Sequence, residues 1–177
     1  FMLIVLLGAG NGLIHAFEQS ASERAMNSIK IFPGWTSKSY DGLKEGRRIR
    51  LDNKDLNTTN KNFPDHVIKA GATVYQGGVN LSFGPEYVNL NLSGVYPNHT
   101  EVEVVKLFKG RFINEIDIKE RRKVIVLHKK TAEILFDKTH TDPIGQFVNA
   151  GNVAYQVVGL YNDKGDSGDS DAYLPFT

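Results

Sequence analysis

The most apolar stretch of the chain is its beginning. Residues 1–17 contain no Asp, Glu, Lys or Arg, and only Asn11 and His15 are clearly polar. A helix that crosses a bilayer needs about 20 predominantly apolar residues, so this stretch predicts the end of a first transmembrane helix. It shows neither a basic leader nor a cleavage site of small residues, which disfavours an intact signal peptide. A signal anchor is the alternative.

The next part of the chain predicts short, half-buried elements. The pattern indicates a polar helix over residues 18–27, half-buried strands over 28–32 and 47–51, and a polar helix over 52–62 that stops before Pro64. Further strands are expected over residues 67–76 and 87–95, with another possible at 79–83, separated by Gly77-Gly78 and Gly84-Pro85. Apolar and polar residues alternate over 87–95, as in a strand with one wet face. The strands between residues 67 and 95 are therefore predicted to form an antiparallel meander.

Two pairs of residues have the spacing of a helix capping box. Thr100 with Glu103, and Asn114 with Asp117, stand three residues apart. At that spacing each side chain can accept a hydrogen bond from a free backbone amide at the start of a helix. The first pair predicts a short helix that ends before Gly110, and the second predicts a helix of one or two turns.

The last third of the chain predicts a buried strand and an amphipathic helix. Residues 124–127 are a continuous apolar run, and residues 129–136 place Ala132, Leu135 and Phe136 on one helical face. A proline turn at 142–145, strands over 146–148 and 153–161, and an acidic Gly/Ser-rich loop over 162–171 complete the pattern. We therefore predict an α+β fold with mostly antiparallel sheets and short helices.

Composition and charge exclude several classes of function. The chain has 177 residues, of which 21 are basic and 20 acidic. This length fits one domain, or one domain with a small companion. A formal net charge of +1 gives no field for the capture of nucleic acid, so we expect no nucleic-acid partner. The absence of cysteine excludes disulfides, thiolate zinc sites and cysteine nucleophiles.

The sequence offers no catalytic constellation, cofactor site or metal site. The five histidines are scattered, and no G-x-S-x-G elbow or P-loop occurs. Four aspartates in the loop over residues 163–171 raise calcium binding as an alternative, but the order of ligands in an EF-hand is not met. We expect that loop to be a hairpin tip, and we expect the chain not to be an enzyme.

Two further features allow a functional interpretation. The glycines between Gly8 and Gly12 follow an apolar run, as in a dinucleotide-binding turn, but the third glycine of that pattern is replaced by Leu13. An oxidoreductase is therefore a weaker alternative. Trp35 and Tyr40 lie in a Gly- and Ser-containing segment without periodicity, so they are candidates for contact with a partner or substrate. Packing of Trp35 on the sheet is the simpler expectation.

Seven short motifs occur in an order that resembles a known family. They are AGNGL at residues 9–13, GRFI at 110–113, VIVL at 124–127, LF at 135–136, DPIG at 142–145, YQVVG at 155–159 and YLP at 173–175. In this order they resemble the MacB-like periplasmic core domain of ABC transporter permeases of the MacB/FtsX/LolE type. Two positions depart from the family pattern, namely His128, where a small residue is usual, and the longer loop at 137–141.

The resemblance implies a large domain outside the cytoplasm, attached to the inner membrane. It implies the end of a transmembrane helix at residues 1–17, a porter-like part at 18–109, and a smaller second lobe at 110–177. It further implies a permease homodimer or heterodimer, an ABC ATPase that is fused or separate, and in some members a periplasmic adaptor and an outer-membrane channel. ATP-driven motion of the membrane helices would reach this domain.

For such a relay, Asn11 and Gly12 near the membrane exit are the best candidates for coupling. The stiffness of the helix that leaves the bilayer would determine how far tilt becomes movement. A membrane-anchored ligand- or signal-binding domain, with its site around Trp35, is the alternative from a different functional class.

Overall fold

The computed structural model describes residues 2, 6, 8–15, 28–103, 105–162 and 172–177. The chain divides into two compact units. We call the first, formed by Phe1–Ala25 with Gly71–Thr177, the sheet unit, and the second, formed by Met26–Ala70, the hairpin unit. The helix predicted over residues 18–27 and the loop predicted over 163–171 lie outside the described residues.

Within its described residues, the sheet unit contains one seven-stranded sheet. The strands are β1 (Thr73–Phe83), β2 (Glu86–Val95), β3 (Leu107–Gly110), β4 (Val124–His128), β5 (Phe147–Ala150), β6 (Val153–Tyr161) and β7 (Ala172–Pro175). Their order is β3-β6-β4-β7-β2-β1-β5, and β5 also pairs with β6. The pairings from β6 through β4, β7, β2, β1 and β5 therefore close into a ring, with β3 added beside β6.

The sheet is mixed rather than mostly antiparallel. Strand β2 pairs with β7, and β4 with β6, in parallel, whereas the other pairings are antiparallel. The α+β class with short helices and a sheet is confirmed, and the expectation of a mostly antiparallel sheet is corrected. Parallel neighbours need a crossover of a dozen or more residues. The chain between β4 and β6 provides one, but the sequence pattern does not reveal which strands it joins.

Helix α4 covers one side of this sheet. In chain order the helices of the described residues are α1 (Asn53–Asn62), α2 (His99–Val102), α3 (Glu115–Lys119) and α4 (Lys129–Phe136), and a 3-10 turn, Asp137–Thr139, follows α4. The predicted apolar face of α4 is confirmed, because Ala132, Leu135 and Phe136 are buried. They pack into a core cluster with Leu81, Leu90, Ile125, Leu127 and Val157.

A second core cluster lies on the other side of β4. It comprises Val95, Phe112, Ile113, Val126, Tyr161 and Tyr173. Because successive side chains of a strand point to opposite faces, Ile125 and Leu127 enter the first cluster and Val126 enters the second. Burial on both faces explains why the sequence of β4 is continuously apolar rather than alternating.

Two local predictions in this unit are wrong. The glycine pair Gly77-Gly78 does not end a strand, because β1 continues through it with a register shift between Gln76 and Val79. Gly78 has a φ of +70°, which the bulge accommodates because glycine has no Cβ. The capping box predicted for Thr100 is also absent. Helix α2 starts after Asn98 without a side-chain cap, and the chain reaches β3 where the helix was expected to end.

The hairpin unit is built from local hydrogen bonds. The strands predicted over residues 28–32 and 47–51 are absent, and an irregular hairpin holds residues 34–49 instead. It is closed by amide-to-carbonyl bonds from Ile49 to Gly34 (2.8 Å) and from Thr36 to Arg47 (2.8 Å). Its tip pairs Tyr40 with Leu43 across Asp41-Gly42, whose φ angles are +50° and +74°. Two positive φ values with Asp-Gly at the tip are typical of a type I′ turn.

Helix α1 of the hairpin unit confirms the helix predicted over residues 52–62. Its N-cap is Asp52, and the side chains of Asp52 and Asp55 form a capping box. The oxygen Oδ1 of Asp52 accepts from the amide of Lys54 at 2.7 Å, and the amide of Asp52 donates to Oδ2 of Asp55 at 2.8 Å. No residue of this helix is buried, so its start is defined by local bonds rather than by packing.

Residues 8–15 at the beginning of the chain are helical and exposed. The dinucleotide-binding turn proposed for Gly8 and Gly12 is therefore wrong, because helical amides are used in bonds along the helix and do not form an open phosphate turn. None of the helices in the described residues is both long and apolar enough to span a bilayer. The transmembrane end predicted for residues 1–17 stays a prediction, as do the domain boundaries after residues 17 and 109.

Candidate functional site

Asn11 and Gly12, the residues predicted to couple the membrane to the domain, lie on the exposed helical segment over residues 8–15. A Cβ atom built on Gly12 meets no described atom within 4 Å outside its own helix. The apolar neighbours Leu13 and Ile14 are exposed as well. A larger side chain at position 12 would thus be accepted by this chain without a clash, which makes the position suitable for a coupling test.

Trp35 and Tyr40, the predicted contact residues, lie on the hairpin of the hairpin unit. Their exposed fractions are 69% and 78%. The simpler expectation for Trp35, packing on the sheet, stays a prediction, because the sheet belongs to the other unit. Leu43 and Ile49 of the same hairpin are also exposed, and we call these four side chains the hairpin surface. An exposed group of large apolar and aromatic side chains is typical of an interaction site.

Basic side chains border the hairpin surface. The backbone of Arg48 pairs with that of Trp35 in an isolated bridge. The Nε atom of Arg47 donates to the carbonyl of Lys44 at 3.0 Å, and its backbone amide donates to Oγ1 of Thr36 at 3.1 Å. Aromatic and arginine side chains are the types enriched in protein interfaces. The composition of this hairpin therefore fits contact with another protein better than it fits catalysis.

The sequence reasoning missed a tight crossing in the sheet unit. The segment after β3 passes directly over β6, where the amide of Arg111 donates to the carbonyl of Val158 at 2.9 Å. A Cβ atom on Gly159 would collide with the carbonyl of Arg111, and one on Gly110 would collide with the carbonyl of Val158. Only glycine permits this approach, so the two glycines fix the segment to the sheet.

An ion pair between Arg111 and Asp117 holds the segment that follows β3 against helix α3. The side chain of Asp117 is fully buried and accepts from Nη1 and Nη2 of Arg111 at 2.6 and 3.0 Å. Its Oδ2 also accepts from the amide of Asn114 at 3.0 Å, which completes the predicted capping box of α3. Arg122 lies 4.0 Å from Oδ1. The capping box was predictable from spacing, but the role of Arg111 was not.

This environment keeps Asp117 charged. Burial alone would raise the pKa of Asp117. The hydrogen bonds from Arg111 and Asn114 and the positive charges of Arg111 and Arg122 outweigh burial and hold the pKa below its usual value. The same hydrogen bond raises the pKa of Arg111. The pair is thus ionised at neutral pH and acts as a permanent fastening rather than as an acid or base.

A chain of tilted and edge-to-face aromatic rings connects this ion pair to α4. Tyr173 lies 5.6 Å from Phe112 and 4.8 Å from Tyr161, between ring centroids. His128 lies 5.1 Å from Tyr161, and its Nδ1 accepts from the amide of Lys130 at 3.3 Å. The histidine that departs from the family pattern is therefore the N-cap of α4. These contacts join the second core cluster to the start of α4.

The other sequence-predicted features lie apart from these groups. In the loop at residues 137–141, His140 has a φ of +48°, and Lys138 contacts Glu86 at 2.9 Å. The aspartate loop considered for calcium, residues 163–171, lies outside the described residues. Within the described residues, no group of three or more His, Asp or Glu side chains could hold a metal ion.

Comparison with known proteins identifies the family. The sequence profile of the MacB-like periplasmic core domain matches residues 1–177. The chain belongs to this family. The resemblance drawn from the seven motifs is confirmed, and the family is one of extracytoplasmic domains in membrane permeases.

The curated relatives are longer proteins, and this chain corresponds to a part of each. The macrolide export ATP-binding/permease protein MacB of Bartonella henselae is 22% identical over 99% of this chain. That of Neisseria meningitidis serogroup B is 26% identical over 99% of it. The chain covers 26% and 27% of their respective lengths, so it spans about a quarter of these relatives.

Solved structures share the fold. The extracellular domain of the noncanonic ABC-type transporter YknZ from Gram-positive bacteria matches with a TM-score of 0.61 and 25% identity, over 71% of this chain and 63% of that one. The periplasmic region of MacB from Actinobacillus actinomycetemcomitans matches with a TM-score of 0.59 and 21% identity, over 80% and 63%.

Proposed function

We propose that this chain is the extracytoplasmic domain of an ABC transporter permease, and that it relays ATP-driven motion of the membrane helices to a substrate on the outer side of the inner membrane. The observation that carries the proposal is the family match over residues 1–177. On this proposal the domain itself is not catalytic, and ATP is hydrolysed by a separate or fused ATPase. A second permease copy, a periplasmic adaptor and an outer-membrane channel are further proposed partners.

The construction of the sheet unit supports a mechanical role. A body that transmits force must move as one piece, and this one is fixed by glycine crossings, a buried carboxylate and core residues on both faces of β4. Close packing gives protein interiors low compressibility, so displacement at one end reaches the other. We propose that residues 1–17 are the input to this body, with Asn11 and Gly12 at the point where tilt is passed on.

The relay can be tested without knowing the substrate. The chain contains no cysteine, so Lys61→Cys, at an exposed position on α1, can carry one nitroxide label in a permease from which any cysteine outside this chain has been removed. We expect the distance between the labels of two permease copies to differ between the nucleotide-free and the ATP-vanadate states. Gly12→Trp should reduce this difference by more than half while ATP hydrolysis continues, because it alters the packing of the segment assigned to the relay.

Gly34→Trp is the matched control. A Cβ atom at Gly34 also meets nothing within 4 Å, but Gly34 belongs to the hairpin unit and not to the segment assigned to the relay. This variant should leave the distance change intact. If Gly12→Trp shows the same change in label distance as the chain without this substitution, Gly12 has no part in the relay. If the label distance does not change with nucleotide even without this substitution, the relay as a whole is rejected. A membrane-impermeant maleimide that fails to reach Lys61→Cys from outside the inner membrane would reject the proposed location.

A second candidate function is a membrane-anchored domain that binds a ligand or signal through the hairpin surface. The exposure of Trp35 and Tyr40 on one hairpin favours it. Trp35 is the only tryptophan, so its fluorescence reports binding directly. Saturable quenching by a periplasmic extract, lost in Tyr40→Ala, would support this candidate, whereas emission that does not respond would count against it.

A further inference from the structure

One face of the sheet unit, away from both core clusters, carries neutral polar side chains and exposed rings. Tyr87 pairs with Ser82, Ser82 pairs with Asn149, and Asn149 pairs with Ala154. Directly paired residues of antiparallel strands point to the same side, so these four form one row across β2, β1, β5 and β6. Within it, Tyr87 has an exposed fraction of 73%.

A second row and a second ring complete the surface. Asn89 pairs with Asn80 next to the first row, and Phe147, two residues before Asn149 on β5, has an exposed fraction of 59%. We call the six side chains of Ser82, Asn80, Tyr87, Asn89, Phe147 and Asn149 the asparagine face. None of them is charged.

The asparagine pair keeps hydrogen-bonding capacity for a ligand. The Nδ2 atom of Asn89 donates to Oδ1 of Asn80 at 2.8 Å. The carbonyl oxygen of Asn89 and the amide nitrogen of Asn80 have no side-chain partner among the described residues. A free acceptor beside a free donor matches hydroxyl and N-acetyl groups, each of which can donate and accept. A charged ligand would find no opposite charge here.

The rings add a second kind of recognition. Tyr87 lies on β2 and Phe147 on β5, with β1 between them. Since neighbouring strands lie about 4.8 Å apart, the two positions are separated by about 10 Å across the sheet and, because Phe147 stands two residues before Asn149, by about 7 Å along the strands. Exposed rings at this separation can stack against the apolar faces of two sugar residues in one chain, while the asparagines bond their hydroxyls.

A protein partner fits this face less well. Protein interfaces are enriched in arginine, methionine and aromatic residues and poor in serine, whereas asparagine and serine provide most of this surface. At the first row, β1 and β5 are each paired on both sides, so these two strands offer no free edge to an incoming strand.

The geometry points to a binding face for an uncharged polysaccharide strand, recognised by Tyr87 and Phe147 through stacking and by Asn80 and Asn89 through hydrogen bonds. This function goes beyond the relay and does not depend on it.

Chitohexaose, a neutral chain of N-acetylated sugars, is the probe. We expect it to shift the backbone amide resonances of β1, β2 and β5 in NMR titrations of the chain in detergent micelles, with an affinity that rises from disaccharide to hexasaccharide. Tyr87→Ala should weaken binding by about tenfold, within the range measured when a ring that stacks on a nucleic-acid base is removed. Tyr87→Trp should preserve binding, and Asn89→Asp should weaken it.

Phe108→Ala is the matched control, because Phe108 on β3 is as exposed as Phe147, at 58%, but lies outside the asparagine face. Its affinity should equal that of the unmodified chain. Because all these positions are on the surface, resonance dispersion outside the face will verify that each variant is folded. The proposal is overturned if chitohexaose shifts no resonance, if N-acetylglucosamine binds as tightly, if an anionic oligogalacturonate binds more tightly, or if Phe108→Ala weakens binding as much as Tyr87→Ala.

Discussion

The two units of this chain each contain a helix that begins with a capping box, and the two boxes differ in their surroundings. In the hairpin unit, Asp52 and Asp55 start α1, of which no residue is buried. In the sheet unit, Asn114 and Asp117 start α3, and Asp117 is also the buried partner of Arg111. The same local motif is therefore a helix start in one unit and a structural fastening in the other.

The apolar side chains of the two units differ in the same way. Leu135 and Ile125 of the sheet unit are fully buried. In the hairpin unit none of the described residues reaches the buried class, and Trp35, Tyr40 and Ile68 are exposed. Burial of apolar surface is the main favourable term in folding, so tertiary packing stabilises the sheet unit and local hydrogen bonds hold the hairpin unit.

The largest expected effect is a difference in stability loss between variants of the two capping boxes. Asp117→Ala removes the buried partner of Arg111 and the box of α3, and should destabilise the sheet unit by about 4 kcal/mol, as is typical for the loss of one member of a buried pair. Asp55→Ala, the matched change in the hairpin unit, should cost about 1 kcal/mol or less. Urea unfolding measures the loss of unfolding free energy in both variants, and hydrogen exchange shows in which unit each loss occurs. Equal losses of unfolding free energy would show that the two boxes contribute equally to stability, against this prediction.

Leucine truncation compares the packing of the two units. Leu135→Ala empties a fully buried site under α4 and should cost about 3 kcal/mol, within the range for core leucines. Leu43→Ala, on the exposed hairpin tip, should change stability by about 0.5 kcal/mol or less. The urea midpoints of the two variants give the difference. A large loss for Leu43→Ala would reveal that the hairpin surface is covered in solution.

Glycine substitution tests the crossing over β6. Gly159→Ala forces a Cβ against the carbonyl of Arg111, and should cost about 2 kcal/mol because the backbone segments must separate. Gly34→Ala has open space and an ordinary φ, so its stability should stay within about 0.5 kcal/mol of the original. Thermal unfolding of both variants provides the measurement, and an unperturbed Gly159→Ala would mean that the crossing yields easily.

The smallest expected effect is a dependence on pH. Because the pKa of Asp117 is lowered in the folded chain, its contribution to stability is fully present above the pKa of an unfolded aspartate. It is lost as the pH falls through the lower, folded pKa. The stability of Asp117→Asn should therefore fall less on acidification than that of the original chain. Parallel curves of unfolding free energy against pH would assign the acid sensitivity to other groups.

Several elements were predictable because their signals are local. The capping box of Asn114 with Asp117 and the apolar run of β4 depend on residues within a few positions of each other, and both predictions are confirmed. The box expected at Thr100 is absent because α2 starts two residues earlier, after Asn98, and pairing of the chain from Leu107 with β6 replaces the rest of the expected helix. The Asp41-Gly42 turn carried a hairpin signal that could have been used to find the hairpin unit.

The family, the buried character of β4 and the packed face of α4 could be read from the sequence alone, because the order of motifs along the chain and the hydrophobic periodicity require no knowledge of tertiary contacts. The structure was needed to show that β5 closes the ring of strands, that Arg111 reaches Asp117, and that Tyr87 shares a row with Asn149. These contacts join residues distant in the chain. Their formation depends on which strands pair and in which register, and a one-residue shift would turn every side chain to the other face.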